Sequence, residues 1–129
     1  MTDTVVSVAS LIVGIQTKNR GIDMIENGSI DSIGGMEFAT FRLKEGMTET
    51  RLIELSNKVE SEFLSRQEEL ILHFLVRGTD GIYADVAIAS SQEKAEEYCQ
   101  QWLGNPVALE YLELLEKESV NMTFWTRIN

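Results

Sequence analysis

The 129-residue sequence holds one cysteine, one proline and one histidine. A lone cysteine, Cys99, closes no internal disulfide and supplies no cysteine-based zinc site; its place on an apolar helical stripe predicts a buried, inert thiol. Such cysteine usage fits a reducing, cytoplasmic compartment. The lone histidine, His73, is far from Cys99 in the chain and makes no recognisable ligand set, so neither metal nor cofactor is expected. Basic residues are also scarce: 11 Lys and Arg stand against 21 Asp and Glu, for a net charge of -10. A chain this acidic repels nucleic-acid phosphates and anionic lipid, which argues against both as partners. The apolar run at residues 5–15, VVSVASLIVGI, is too short to span a bilayer, and Asp3 stands where a secretory leader carries positive charge. Phosphate-loop spacing and a nucleophile-elbow serine are missing as well.

What is present is organised around residues 70–90, LILHFLVR-GTDG-IYADVAIAS. Two apolar, β-branched runs flank Asp80-Gly81, a strong local signal for an antiparallel hairpin because Gly81 takes a positive φ at little cost. Upstream, MEFATFRL reads as a strand, and Thr48 caps a helix running to about Arg66. Leu52, Leu55, Val59 and Phe63 form its apolar stripe, while Glu49, Glu54, Glu60 and Glu62 are read as a solvated face. Downstream, Ser90 and Glu93 have capping-box spacing for a second helix that buries Ala95, Tyr98, Cys99, Trp102 and Leu103. Gly104 ends it, Asn105-Pro106 starts a third helix with Ala108, Leu112 and Leu115 inward, and residues 119–128 form a last strand.

The resulting order, βαββαβ over residues 36–129, is a ferredoxin-like α+β arrangement, an antiparallel sheet with its helices on one face. Residues 1–35 are an N-terminal arm or extra strand. Within them, residues 5–15 suit a strand or a short helix, and Asn27-Gly28 and Gly34-Gly35 mark turns among isoleucines. The strands are apolar on both sides, so the open face predicts a second sheet packed on it, that is, a homodimer.

FATFRLKEG, an acidic amphipathic helix, LVRGTDGIYADVAIASSQEKAEEY, a helix restarting at a proline and a closing ESVNMTFW together resemble the dimeric α/β-barrel superfamily. Its members include antibiotic-biosynthesis-type monooxygenases and heme-degrading monooxygenases. The resemblance covers residues 36–128. It implies two sheets packed face to face into a barrel, with a pocket between sheet and helices in each subunit. The asparagine, tryptophan and histidine of the heme-degrading members fall on Ala39, Ala89 and Leu112, so heme degradation is not expected.

A three-residue loop at Thr79-Asp80-Gly81 sets Arg77 opposite Tyr83, Leu75 opposite Asp85 and His73 opposite Ala87, gathering His73, Arg77, Tyr83 and Asp85 on one face. His73 and Asp85 are then candidate catalytic residues, a base near neutral pH with its carboxylate partner, and Arg77 and Tyr83 candidate substrate-binding groups. The competing reading is that His73 and Asp85 satisfy each other structurally. Trp102 reads as core, whereas Trp125 either lines a cavity as a substrate contact or simply packs. Two functions remain open: a cofactor-independent, monooxygenase-like enzyme acting on an apolar small molecule, and a non-catalytic ligand-binding or interaction module of the same fold.

Overall fold

Asp80 and Gly81 take φ values of 56° and 79°, and the Ile82 N–H donates to the Thr79 carbonyl. Positive φ at both central residues matches the right-handed twist of the strands this turn joins. In the computed structural model, which describes residues 25–26, 30–68 and 70–129, the strands are β3 (Leu70–Arg77) and β4 (Tyr83–Ala89). They pair with Arg77 opposite Tyr83, Leu75 opposite Asp85 and His73 opposite Ala87, the register that a three-residue loop dictates. An irregularity between Leu70 and Leu72 breaks the ladder at its far end.

Among the described residues three further strands join them in an antiparallel sheet: β1 (Ile25–Glu26), β2 (Gly35–Phe41) and β5 (Asn121–Thr126), in the spatial order β1-β3-β4-β2-β5. Without β1 this is the ferredoxin-like order. The N-terminal segment therefore adds an edge strand beside β3, and β2 begins at Gly35, one residue before the boundary expected. The strand-or-helix reading of residues 5–15 lies outside the described residues.

Helix α1 (Glu49–Glu62) starts where the Thr48 hydroxyl accepts from the Arg51 N–H, and a 3-10 turn at Leu64–Arg66 ends the segment. Leu52, Leu55, Val59 and Phe63 are buried as the periodicity requires. Glu60 is buried with them, so the acidic side of this helix is not a uniform solvated face. Helix α2 (Gln92–Gln100) is capped by Ser91, not Ser90; the Ser91 hydroxyl accepts from the Lys94 N–H, which puts Glu93 one position short of a capping box. Gly35 fixes how α2 sits on β2: a Cβ there would lie 2.1 Å from the Gln92 nitrogen. A 3-10 turn at Gln101–Gly104 leaves Leu103 73% exposed, correcting its placement in the core. Asn105 then caps α3 (Pro106–Leu112) through its side-chain oxygen, which accepts from the Val107 and Ala108 N–H groups. Tyr111, which the inward stripe had omitted, is buried, and Leu112 only packs at its edge.

Alternation assigns the sheet faces. Glu37, Ala39, Phe41, His73, Asp85 and Ala87 look toward the helices and are buried. The opposite face carries Met36, Phe38, Phe74, Val76, Ile88 and Trp125, of which Val76 is 42% and Trp125 53% exposed.

Candidate active site

Strand pairing alone brings His73 and Asp85 to one face, and α1 adds a third member. The His73 ring lies between two carboxylates, with Nδ1 at 2.6 Å from Glu60 Oε2 and Nε2 at 2.5 Å from Asp85 Oδ1. A neutral imidazole has one N–H and would turn a lone pair toward one of these oxygens; the imidazolium donates to both. Burial by itself would lower the His73 pKa, but the charge and hydrogen bond of Asp85, together with those of Glu60, outweigh it and hold it up at about 10. The Tyr111 hydroxyl donates to the other Asp85 oxygen at 3.1 Å. With His73 1% exposed, the ring has no route to a ligand of its own.

The cavity begins on the far side of Asp85. It has a volume of 330 Å³ and lies between the helix-side face of β2, β4 and β5 and the two C-terminal helices. Phe41, Trp102 and Tyr111 supply aromatic walls; Glu37, Asp85, Cys99 and Gln100 are the polar lining residues beside them. Trp102 is thus both core and cavity wall, its ring 5.4 Å from that of Tyr111. Glu37 is 4% exposed. Burial first, and the Asp85 charge second, push its carboxyl up to about 8, against the opposing pull of Cys99, His73 and Tyr98. Cys99 is pushed up to about 12 by burial and by the Glu37 charge, so it stays a thiol, in keeping with an inert role.

The remaining candidates lie elsewhere. Arg77 pairs with Glu49 at 3.2 Å at the N-terminus of α1, and the Tyr83 hydroxyl donates to the same carboxylate at 3.1 Å. The four-residue face is thereby divided into an inner pair, of which Asp85 borders the cavity and His73 does not, and an outer pair held by Glu49; neither Arg77 nor Tyr83 lines the cavity. Trp125 borders a shallow groove on the opposite sheet face with Met36 and Ile88. Among the described residues no cluster of His, Cys, Asp and Glu is disposed to hold a metal ion, and no helix is long and apolar enough to cross a membrane.

Two residues of the buried network and cavity wall escaped the sequence reading, and both had a signal. Glu60 is eight residues after Leu52, on the same helical stripe as Leu55 and Val59. Glu37 alternates in phase with Ala39 and Phe41, and the pairing of Ala39 with Asp85 sets it on the same face as the candidate carboxylate.

No protein-family model matches this chain, and no curated protein matches it. Solved structures do. SnoaB, a cofactor-independent oxygenase from Streptomyces nogalater, is similar at a TM-score of 0.58 with 15% identity, over 74% of this chain and 94% of that one. An uncharacterised ferredoxin-fold protein from Listeria monocytogenes, related to antibiotic biosynthesis monooxygenases, gives 0.59 with 14% identity, over 80% of this chain and 61% of the other. A dimeric ferredoxin-like protein from an uncultured marine organism gives 0.53 with 12% identity, over 78% and 93%. The chain thus has the ferredoxin-like α+β fold that the pattern of its sequence implied; identities this low speak to fold alone.

Proposed function

We propose that the protein is a cytoplasmic, homodimeric enzyme that oxygenates an apolar small molecule in the cavity of each subunit without a bound cofactor. The observation that carries this reading is Glu37, a buried carboxyl on the wall of an apolar cavity, with a pKa of about 8. Such a group is poised to take a proton near neutral pH. His73 and Tyr111 hold Asp85 in place, and the Asp85 charge keeps Glu37 basic. Asp85 borders the cavity itself, whereas His73 acts through it as a positioning residue. The Glu37 carboxylate removes a proton from an activated CH2 of the ligand, and the carbanion is itself the reductant of dioxygen. CH2 and O2 become C=O and H2O, a four-electron oxidation matched by the four-electron reduction of O2. The fold likeness to a cofactor-independent oxygenase supports this class.

Oxygen uptake with anthrone, a tricyclic ketone with an activated CH2, tests the reading. The protein should accelerate uptake over buffer, and Glu37→Gln should slow it by roughly 10²-fold, the usual contribution of a general base. An unchanged rate in the variant would remove Glu37 from the mechanism. Saturable binding with no added uptake would instead favour the ligand-binding module, a reading that the sealing of His73 supports.

The homodimer rests on the exposed apolar side chains of the sheet face that no described helix covers, which water alone covers poorly. Sedimentation at low micromolar concentration should give twice the 14.6 kDa chain mass, and Phe38→Asp should shift the species to monomer. A wild-type monomer would rule out the barrel.

A further inference from the structure

The cavity holds acids without a matching base. Among the described residues no Lys, Arg or His lines it, while Glu37 and Asp85 both do. Among the described residues the cation beside Asp85 is His73, which Asp85 shares with Glu60. Glu37 is ion-paired with no basic side chain among the described residues, although it is 4% exposed. Without a cation beside it the buried carboxyl keeps its proton, and an ammonium seated there from outside would favour the carboxylate. The same cavity is lined by three aromatic rings, Phe41, Trp102 and Tyr111. A carboxylate opposite aromatic faces is the combination that recognises an organic ammonium, through one charge-assisted hydrogen bond and the ring quadrupoles.

We propose that the cavity selects apolar ligands bearing a protonated amine, with the ammonium on Glu37 and the hydrocarbon body against Trp102 and Tyr111, and that it rejects anionic ligands of the same shape. This rests on the reading of the cavity as the ligand site, but not on any turnover there.

Proton linkage follows from the groups around Glu37. Strand β4 presents Asp85, β3 presents His73, α2 presents Tyr98 and Cys99, and β5 sets the apolar Phe124 opposite. Glu37 changes charge just above neutrality, so binding an ammonium at pH 7 ionises Glu37 and releases a proton. Affinity should rise from pH 6 toward pH 9, until the amine itself deprotonates.

Three probes of one shape test this by calorimetry at pH 7: 1-naphthylmethylamine, 1-naphthalenemethanol and 1-naphthoate. The amine is expected to bind about ten-fold or more tightly than the alcohol, with proton release seen as a buffer-dependent enthalpy, and the carboxylate should not bind measurably. In Glu37→Gln the amine-to-alcohol ratio should collapse toward one. Naphthoate binding as tightly as the amine, equal affinities for amine and alcohol, or no amine binding up to millimolar concentration would each overturn the proposal. Should the variant misfold, proton release by the wild-type protein still decides the matter. Oxygen uptake is read separately: amine binding without turnover would sink the oxygenase alone, and turnover without amine preference would sink only this inference.

Discussion

His73→Ala is expected to destabilise the protein by about 3–5 kcal/mol, the cost of breaking a buried ion pair by removing one partner. Glu60 and Asp85 would face each other across the vacated site, one 4% and the other 5% exposed, with no cation between them. Each must then either stay charged in a low-dielectric interior or take up a proton, and both routes cost free energy. The lost imidazole volume adds a cavity penalty of the same sign. For a chain of this size the change should lower the melting temperature by roughly 10 °C or more. The double variant Glu60→Gln/His73→Ala should recover part of the loss, because it removes one of the two facing carboxylate charges; such non-additivity is the mark of a shared network. A melting temperature within about 2 °C of wild type, the range of ordinary surface substitutions, would show that His73 holds nothing together.

The fold was legible in the sequence because each signal that defines it is local. The Asp80-Gly81 turn fixes the β3–β4 register, the stripe from Leu52 to Phe63 fixes the buried side of α1, and Asn105-Pro106 fixes where α3 begins. That register alone placed His73 and Asp85 together. The third member of the network was lost because Glu60 was grouped with its acidic neighbours by charge and not by its helical phase. Whether a glutamate on a stripe turns outward depends on what stands opposite, and His73 is reached only by packing α1 on the sheet. Glu37 illustrates the same limit from the other side. Its strand phase was readable, but its pKa depends on a cavity formed jointly by β2, α2 and α3, and on a charge delivered by β4. Arg77 and Tyr83 share the face of His73 as expected; their separate destination was set by Glu49, a capping-turn residue whose position in space no strand pattern encodes.

Stability should fall as pH rises from about 6 to 9. Two groups set the sign. His73 is raised from 6.5 to about 10 in the folded protein, so its contribution is complete below the unfolded value of 6.5 and is lost as pH climbs through 10. Glu37 is raised from 4.5 to about 8; the folded state holds its proton more tightly than the unfolded chain, and that advantage likewise disappears as pH passes from 4.5 through 8. In both windows the native state binds more protons than the unfolded one, so the slope of unfolding free energy against pH is negative. At 1.36 kcal/mol per unit, and with both groups buried beyond effective screening, the joint loss between pH 6 and 9 is on the order of 5 kcal/mol. The groups interact, so their separate contributions do not simply add. Glu37→Gln, which keeps shape and removes the titration, should roughly halve the slope between about pH 6.5 and 8, where both groups contribute, and leave the shallower His73 part above it. Thermal unfolding at half-unit pH steps in matched ionic strength reads both. A melting temperature that is flat or rising across this range would mean that His73 does not sit as an imidazolium between its two carboxylates, and the buried network would then have to be redrawn with its proton on Glu60 or Asp85.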